Sequence, residues 1–134
     1  MIIGIGHDIC DQRRIGAIFD RFGIRFSARI LTLDEQAELQ ARKNKHAYLA
    51  GRFAVKEAVY KALAAADQAK MHWHHAATLS SKNGAPQLIL SDACLAGAKT
   101  LLPPGHGLKL FVSLSDEPPY SSAFVILSAE QGTE

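Results

Sequence analysis

Asp8 stands just behind the glycine-spaced apolar run Ile2-Ile3-Gly4-Ile5-Gly6. Much further along, Glu57 and Lys61 fall within Arg52-Phe53-Ala54-Val55-Lys56-Glu57-Ala58-Val59-Tyr60-Lys61. Glu57 and Lys61 are one helical turn apart and share a face, with Phe53 one turn earlier on the same face. Each feature has a plain reading. An aspartate at a strand end is a common turn residue or helix cap. A glutamate and lysine at this spacing make an exposed ion pair worth about 0.3–0.5 kcal/mol. Together they suggest more. Magnesium takes one or two carboxylates and fills the rest of its shell with water and phosphate oxygens. Asp8 and Glu57 supply two such carboxylates, and Lys61 supplies a cation for a phosphate beside the metal. The chemistry they suit is phosphoryl transfer.

The elements that must bring these residues together are legible in outline. Residues 2–9 predict a buried strand, with Gly4 and Gly6 leaving room for another backbone or a ligand. Asp11 is placed to cap a helix over 12–22, with Ile15, Ile18, Phe19 and Phe22 at helical spacing and Gly23 as its stop. Thr32 and Glu35 form a capping-box pattern for a short helix reaching about Lys43. Residues 46–66 carry the strongest helical pattern, with Leu49, Phe53, Val59, Tyr60 and Leu63 among alanines and Gly51 as the weak point. Trp73–Ser80 and Pro86–Leu90 predict two strands around an Asn83-Gly84 turn. Ser91 then caps a helix to Leu101, ended by Pro103-Pro104-Gly105. Strands over Leu108–Ser115 and Ser121–Leu127 flank Glu117-Pro118-Pro119. The expected fold class is α+β: one domain over 1–128, an antiparallel sheet packed against a long helix, and a flexible tail over 129–134.

Composition sets bounds on partners and place. A chain of 134 residues with 48% hydrophobic and 21% charged side chains is an ordinary single globular domain. A net charge of +2 is too small to imply nucleic acid. The arginines matter more by position: Arg13, Arg14, Arg21, Arg25 and Arg29 crowd the N-terminal part. Arg14, Arg21 and Arg25 share one face if the first helix extends that far; a solvated helix face is the plain alternative. Cys10 and Cys94 form no disulfide framework or metal motif and suit a reduced, cytoplasmic protein. Cys10 suits a small buried residue better than a nucleophile. The start resembles no signal peptide, and no apolar stretch approaches a membrane span. His72, His74 and His75 flank Trp73; on a strand His72 and His74 would share a face. Without an acidic or cysteine ligand nearby, they are expected to be hairpin surface rather than a metal site.

Gly4-Ile5-Gly6-His7-Asp8-Ile9, followed by Arg14-Ile15, resembles the opening signature of bacterial holo-acyl-carrier-protein synthases, a branch of the 4′-phosphopantetheinyl transferases. Arg52-Phe53-Ala54-Val55-Lys56-Glu57-Ala58, with Lys61 behind, resembles their second signature. The spacing between the two and the intervening Leu31-Thr32 with Glu35 also fit. Asn83-Gly84-Ala85-Pro86 and Val112-Ser113-Leu114-Ser115-Asp116 match more loosely, so the resemblance runs from Ile2 to about Leu127. Three departures stand out. Ala64–Lys70 replaces a glycine-rich turn, Ala85 replaces a common lysine (Lys82 is a weak substitute), and Asp116 replaces a common histidine.

The resemblance implies the phosphopantetheinyl transferase fold and transfer of phosphopantetheine from coenzyme A to a carrier-protein serine, with adenosine 3′,5′-bisphosphate leaving. It implies that Asp8 and Glu57 bind magnesium and that Lys61 offsets phosphate charge. Arg52, Lys56 and Lys61 would meet coenzyme A phosphates, with Lys43 and Lys45 reaching for the 3′-phosphate. Arg14, Arg21 and Arg25 would dock the acidic helix of an acyl carrier protein, by default that of fatty acid biosynthesis. It also implies a homotrimer with sites at subunit boundaries. Glu57 would take the serine proton directly or through a metal-held water. His7 neighbours Asp8 but points to the opposite strand face. Two rivals are a magnesium-dependent phosphohydrolase using the same carboxylates and a non-catalytic carrier-binding module.

Overall fold

The computed structural model describes residues 1–132. The elements run β1 (Ile2–Asp11), α1 (Gln12–Phe22), α2 (Ile24–Ile30), α3 (Leu33–Ala41) and α4 (Lys45–Ala62). A 3-10 turn (Trp73–His75) leads to β2 (Ala76–Ser80) and β3 (Pro86–Leu90), then α5 (Asp92–Thr100), β4 (His106–Glu117) and β5 (Tyr120–Gln131). This is the expected α+β class, with two antiparallel sheets rather than one. A three-stranded sheet has the order β1-β5-β4, and β2 and β3 form a separate hairpin.

The long helix α4 lies across the inner face of the larger sheet. Val55, Ala58, Val59, Ala62 and Leu63 bury together with Cys10, Ala123, Val125 and Leu127. Fully burying each large aliphatic contributes about 1.5–3 kcal/mol. The approach is close because β1 has no side chain where the helix crosses. A Cβ on Gly4 would collide with the carbonyl oxygen of Ala62. One on Gly6 would collide with that of Ala58 and lie 2.8 Å from its carbonyl carbon. The sequence expectation that these glycines admit another backbone is therefore met by α4.

Strand β1 pairs along β5, with Gly6 opposite Val125 and Asp8 opposite Ala123. It continues to Asp11, so Asp8 lies within the strand rather than at its end. Nor is β1 buried on both faces: Ile5 and Ile9 are exposed on the side away from α4. A half-covered antiparallel sheet alternates in this way.

Asp11 caps α1 through its bond from the Arg13 backbone N–H at 2.8 Å, as expected. Gly23 ends α1 at φ 59, donating its N–H to Phe19. The unexpected α2 follows at once and buries Ser27 and Ile30. Thr32 and Glu35 form the expected capping box. Helix α4 starts at a cap made by Asn44 and stops at Ala62, short of the expected 66. Residues 73–75 form a 3-10 turn instead of a strand, with the Trp73 carbonyl turned inward, as shown below. Ser91 precedes α5 but makes no side-chain cap bond.

β5 extends into the segment expected as tail. Ala129 and Glu130 belong to β5, and the Ala129 N–H donates to the Met1 carbonyl. Gly132 donates to the Gly105 carbonyl. Thr133 and Glu134 lie outside the described residues. Among the described residues no helix is long and apolar enough to cross a membrane.

Candidate active site

Asp8 is on the inner face of β1, on the same side as Gly6 and Cys10. Because Gly6 lets α4 press against β1, the next turns of the helix pass beside Asp8. The Lys61 ammonium donates to Asp8 Oδ1 at 3.0 Å and to the His7 carbonyl at 3.0 Å. Lys61 thus ties helix to strand rather than pairing with Glu57 along the helix. Glu57 shares the cluster. Partial burial and then the Asp8 charge push its carboxyl pKa up, while Lys61 and Arg14 oppose the shift. The two carboxylates feel each other across elements far apart in sequence.

That mutual repulsion is relieved by a cation placed between them. The donors are carboxylate oxygens, which suit a hard ion such as magnesium. Among the described residues no third histidine, cysteine or carboxylate joins to make a full protein cage.

Beside Glu57 opens a cavity of about 310 Å³ lined by Glu57, Tyr60, Met71, Trp73 and Cys94 among others. Trp73 in its wall is backed by Phe53, with ring centroids 5.2 Å apart and planes at 27°. The Arg14 guanidinium sits 5.7 Å from the Phe53 ring centre. Arg14 therefore turns toward the carboxylate cluster. Arg21 instead folds over Phe22 at 5.1 Å. Arg25 lies on α2, beyond the Gly23 break, and lines a cleft with Ile18, Phe22, Phe26 and Arg29. The three arginines do not share a continuous helical face.

Two residues expected at coenzyme A phosphates are held elsewhere in this chain. Lys56 is 4% exposed. Its ammonium donates to Glu35 Oε1 at 2.7 Å and to the carbonyls of Trp73 and Ala76. An ammonium has three donors, and all are used. These bonds draw the Trp73 and Ala76 carbonyls inward, bending residues 73–75 out of the strand. Burial lowers the Lys56 pKa, and the Glu35 carboxylate opposes the shift. Arg52 is buried too. It donates to the Thr78 carbonyl at 3.1 Å and to Glu38 at 3.3 Å, with its guanidinium 4.4 Å from the Tyr48 ring centre. Arg42 stacks on the same ring at 4.9 Å and lines an open cleft with Lys43, Asn44 and Arg52. Lys45 bonds the carbonyls of Gln40 and Arg42.

His7 is exposed on the outer face, its ring 6.2 Å from Phe124, as strand alternation requires. Burial pushes the Cys10 thiol pKa up, which opposes a nucleophilic role. His72 packs against His74 and His75, with ring centres 4.7 and 5.9 Å away. Three supporting residues were not legible as such. Glu35 showed only its capping role; its second oxygen also accepts from the Thr78 N–H at 3.0 Å. Glu38 and Tyr48 carried no signal, because their partners lie on other elements.

Residues 4–103 match the 4′-phosphopantetheinyl transferase superfamily. A holo-acyl-carrier-protein synthase of Methylobacterium sp. (strain 4-46) is 42% identical over 129 residues, covering 96% of each chain. The crystal structure of the Neisseria meningitidis holo-acyl-carrier-protein synthase superposes with a TM-score of 0.81 at 31% identity, covering 96% of this chain and 99% of that one. That of Helicobacter pylori, in complex with coenzyme A, gives 0.75 at 27% identity, covering 92% and 99%. The chain belongs to the 4′-phosphopantetheinyl transferase superfamily, among enzymes of the holo-acyl-carrier-protein synthase type.

Proposed function

We propose that this enzyme transfers 4′-phosphopantetheine from coenzyme A to a serine of apo-acyl carrier protein, with magnesium. The products are holo-carrier and adenosine 3′,5′-bisphosphate. The observation that carries the reading is the meeting of Asp8 and Glu57 with Lys61 bonded to Asp8 at 3.0 Å. Asp8 and Glu57 would hold the ion. When bound, magnesium supplies charge to the diphosphate of coenzyme A and to the oxygen that leaves. Lys61, with its side chain 53% exposed, keeps a free face toward a phosphate while anchored to Asp8. Partial burial and the Asp8 charge raise the Glu57 pKa in the metal-free protein; Glu57 takes the serine proton directly or through a water. The serine oxygen bonds to the phosphorus that carries pantetheine, the diphosphate bridge breaks, and the bridging oxygen leaves with the bisphosphate. The cavity beside Glu57 takes the pantetheine arm against Tyr60, Met71 and Trp73.

The carrier protein docks on α1 and α2. Arg25 and Arg29 line the apolar cleft of Ile18, Phe22 and Phe26, with Arg21 over the Phe22 ring, which suits an acidic helix with apolar residues between its charges. Self-association into a homotrimer has support in the outer sheet face. Ile5, Ile126 and Phe111 lie in register across it, and Ile5, Ile9, Phe111 and Phe124 are exposed. An apolar patch of that kind marks an interface. Two free, buried cysteines are in keeping with a cytoplasmic setting.

Mass spectrometry of an apo-carrier protein incubated with enzyme, coenzyme A and magnesium tests the reading. One phosphopantetheine should appear on the serine. Asp8→Ala and Glu57→Ala should each lower the rate by about 10²–10⁴. Unmodified carrier with wild-type enzyme, or phosphate release without any acceptor, would overturn it.

A further inference from the structure

Helix α1 buries Ile15 in the core, and two further contacts fix its rotation. At its start, the Gln12 backbone N–H donates to the Pro119 carbonyl at 2.8 Å, and its side chain donates to Ser121 Oγ at 3.0 Å. Further along, the hold comes from His46 in the first turn of α4. Gly16 is buried in α1, and a Cβ there would meet the His46 ring at Nδ1, 2.7 Å from Cγ and 2.9 Å from Cε1. The imidazole sits in a notch that exists because α1 lacks a side chain at that point. From the notch, Nε2 donates to Asp20 Oδ1 at 2.7 Å, one turn along α1. A carboxylate only accepts, so the proton is on Nε2. Phe19 closes the edge of the ring, with centroids 6.4 Å apart and planes at 87°.

We propose that His46 is a positioning residue that latches α1 onto α4 and so sets the pose of the carrier-docking surface. This rests on the docking role given above to α1 and α2. The ring touches Gly16, Phe19 and Asp20, while Arg14 and Ile18 lie on the same helix within one turn of Gly16. Rolling α1 about its axis would move Ile18 and Arg21 away from Arg25 and Phe26 across the Gly23 break. It would also lift Arg14 from Phe53 and Glu57. The other end of α4 carries Glu57 and Lys61, so the latch refers the docking surface to the helix that bears the chemistry. The His46–Asp20 contact is exposed and weak as a source of stability. Its consequence is geometric.

Four proteins test this: wild type, His46→Ala, Gly16→Ala and the double variant Gly16→Ala/His46→Ala. For each, KM for apo-carrier, KM for coenzyme A and kcat are measured well below the melting temperature. Each single variant should raise carrier KM about three- to tenfold, the size of one or two displaced surface charge contacts, and leave coenzyme A KM unchanged. In Gly16→Ala the new methyl meets the ring. Removing the ring as well should therefore bring the double variant's carrier KM below that of Gly16→Ala alone. Asp20→Asn, which still accepts from Nε2, should behave like wild type. Amide hydrogen exchange over residues 15–22 of the free enzyme should rise in His46→Ala. Unchanged carrier KM and exchange in His46→Ala would overturn the inference. Equal rises in both KM values, or additive effects in the double variant, would also overturn it. If wild type fails to modify the carrier, the functional reading falls instead, and the exchange measurement still decides whether the latch exists.

Discussion

Lys56→Met is expected to unfold this enzyme far more easily, whereas Lys61→Met, on the same helix, is expected to leave it folded and inactive. The Lys56 ammonium lies 2.7 Å from Glu35 and also serves the Trp73 and Ala76 carbonyls, and Glu35 is 0% exposed. Methionine keeps most of the stem but none of the donors. Two inward carbonyls lose their partner, and Glu35 keeps a buried charge with only the Thr32 and Thr78 donors. Removing one member of a buried ion pair costs about 3–5 kcal/mol. A domain of this size is stable by about 5–15 kcal/mol, so roughly a fifth or more of that is lost. In a urea melt with a slope near 2 kcal/mol per M, the midpoint should fall by about 2 M. A Glu35→Gln/Lys56→Met double variant should lose less than the sum of its parts, by about 0.5–3 kcal/mol. Lys61 makes a partly exposed pair worth at most about 1 kcal/mol, so its midpoint should move by roughly 0.5 M or less. A Lys56→Met protein that melts within about 1 kcal/mol of wild type yet has lost coenzyme A affinity would refute this account. It would return Lys56 to the phosphate site.

Other outcomes follow from the same geometry. Gly6→Ala places a methyl against the Ala58 carbonyl and should push α4 off β1. Overpacking of this kind costs about 1–3 kcal/mol, and calorimetry should show it together with weakened magnesium binding, since Asp8 and Glu57 separate. Glu57 should titrate above its usual 4.5 in the metal-free protein, read by carboxyl NMR, and move down in Asp8→Asn. The folded state then holds the Glu57 proton longer than the unfolded state. Raising pH from 4.5 through the folded value therefore removes stability from the metal-free enzyme, and magnesium should restore it. Arg21→Glu and Arg25→Glu together should raise carrier KM by about tenfold at low salt and leave coenzyme A KM alone, with the difference shrinking as salt screens it.

Residue types and short-range spacing already specified much of this enzyme. The Asp11 and Thr32–Glu35 caps, the Gly23 stop, the long helix and the Asn83-Gly84 hairpin depend on neighbours within a turn or two, so they were legible. The paired signatures also pointed to Asp8, Glu57 and Lys61. What the tertiary structure alone decided is who faces whom. Lys61 bonds Asp8 rather than Glu57 because glycine on β1 lets the helix come close. Lys56 and Arg52 look like phosphate ligands in one dimension, yet they are committed to Glu35, Glu38 and inward carbonyls once β2 packs beside α3 and α4. The arginine stripe breaks at Gly23 because a second helix starts there with a buried face of its own. Local propensity cannot register such pairings, because their energy comes from charges and backbones that meet only after the chain has folded.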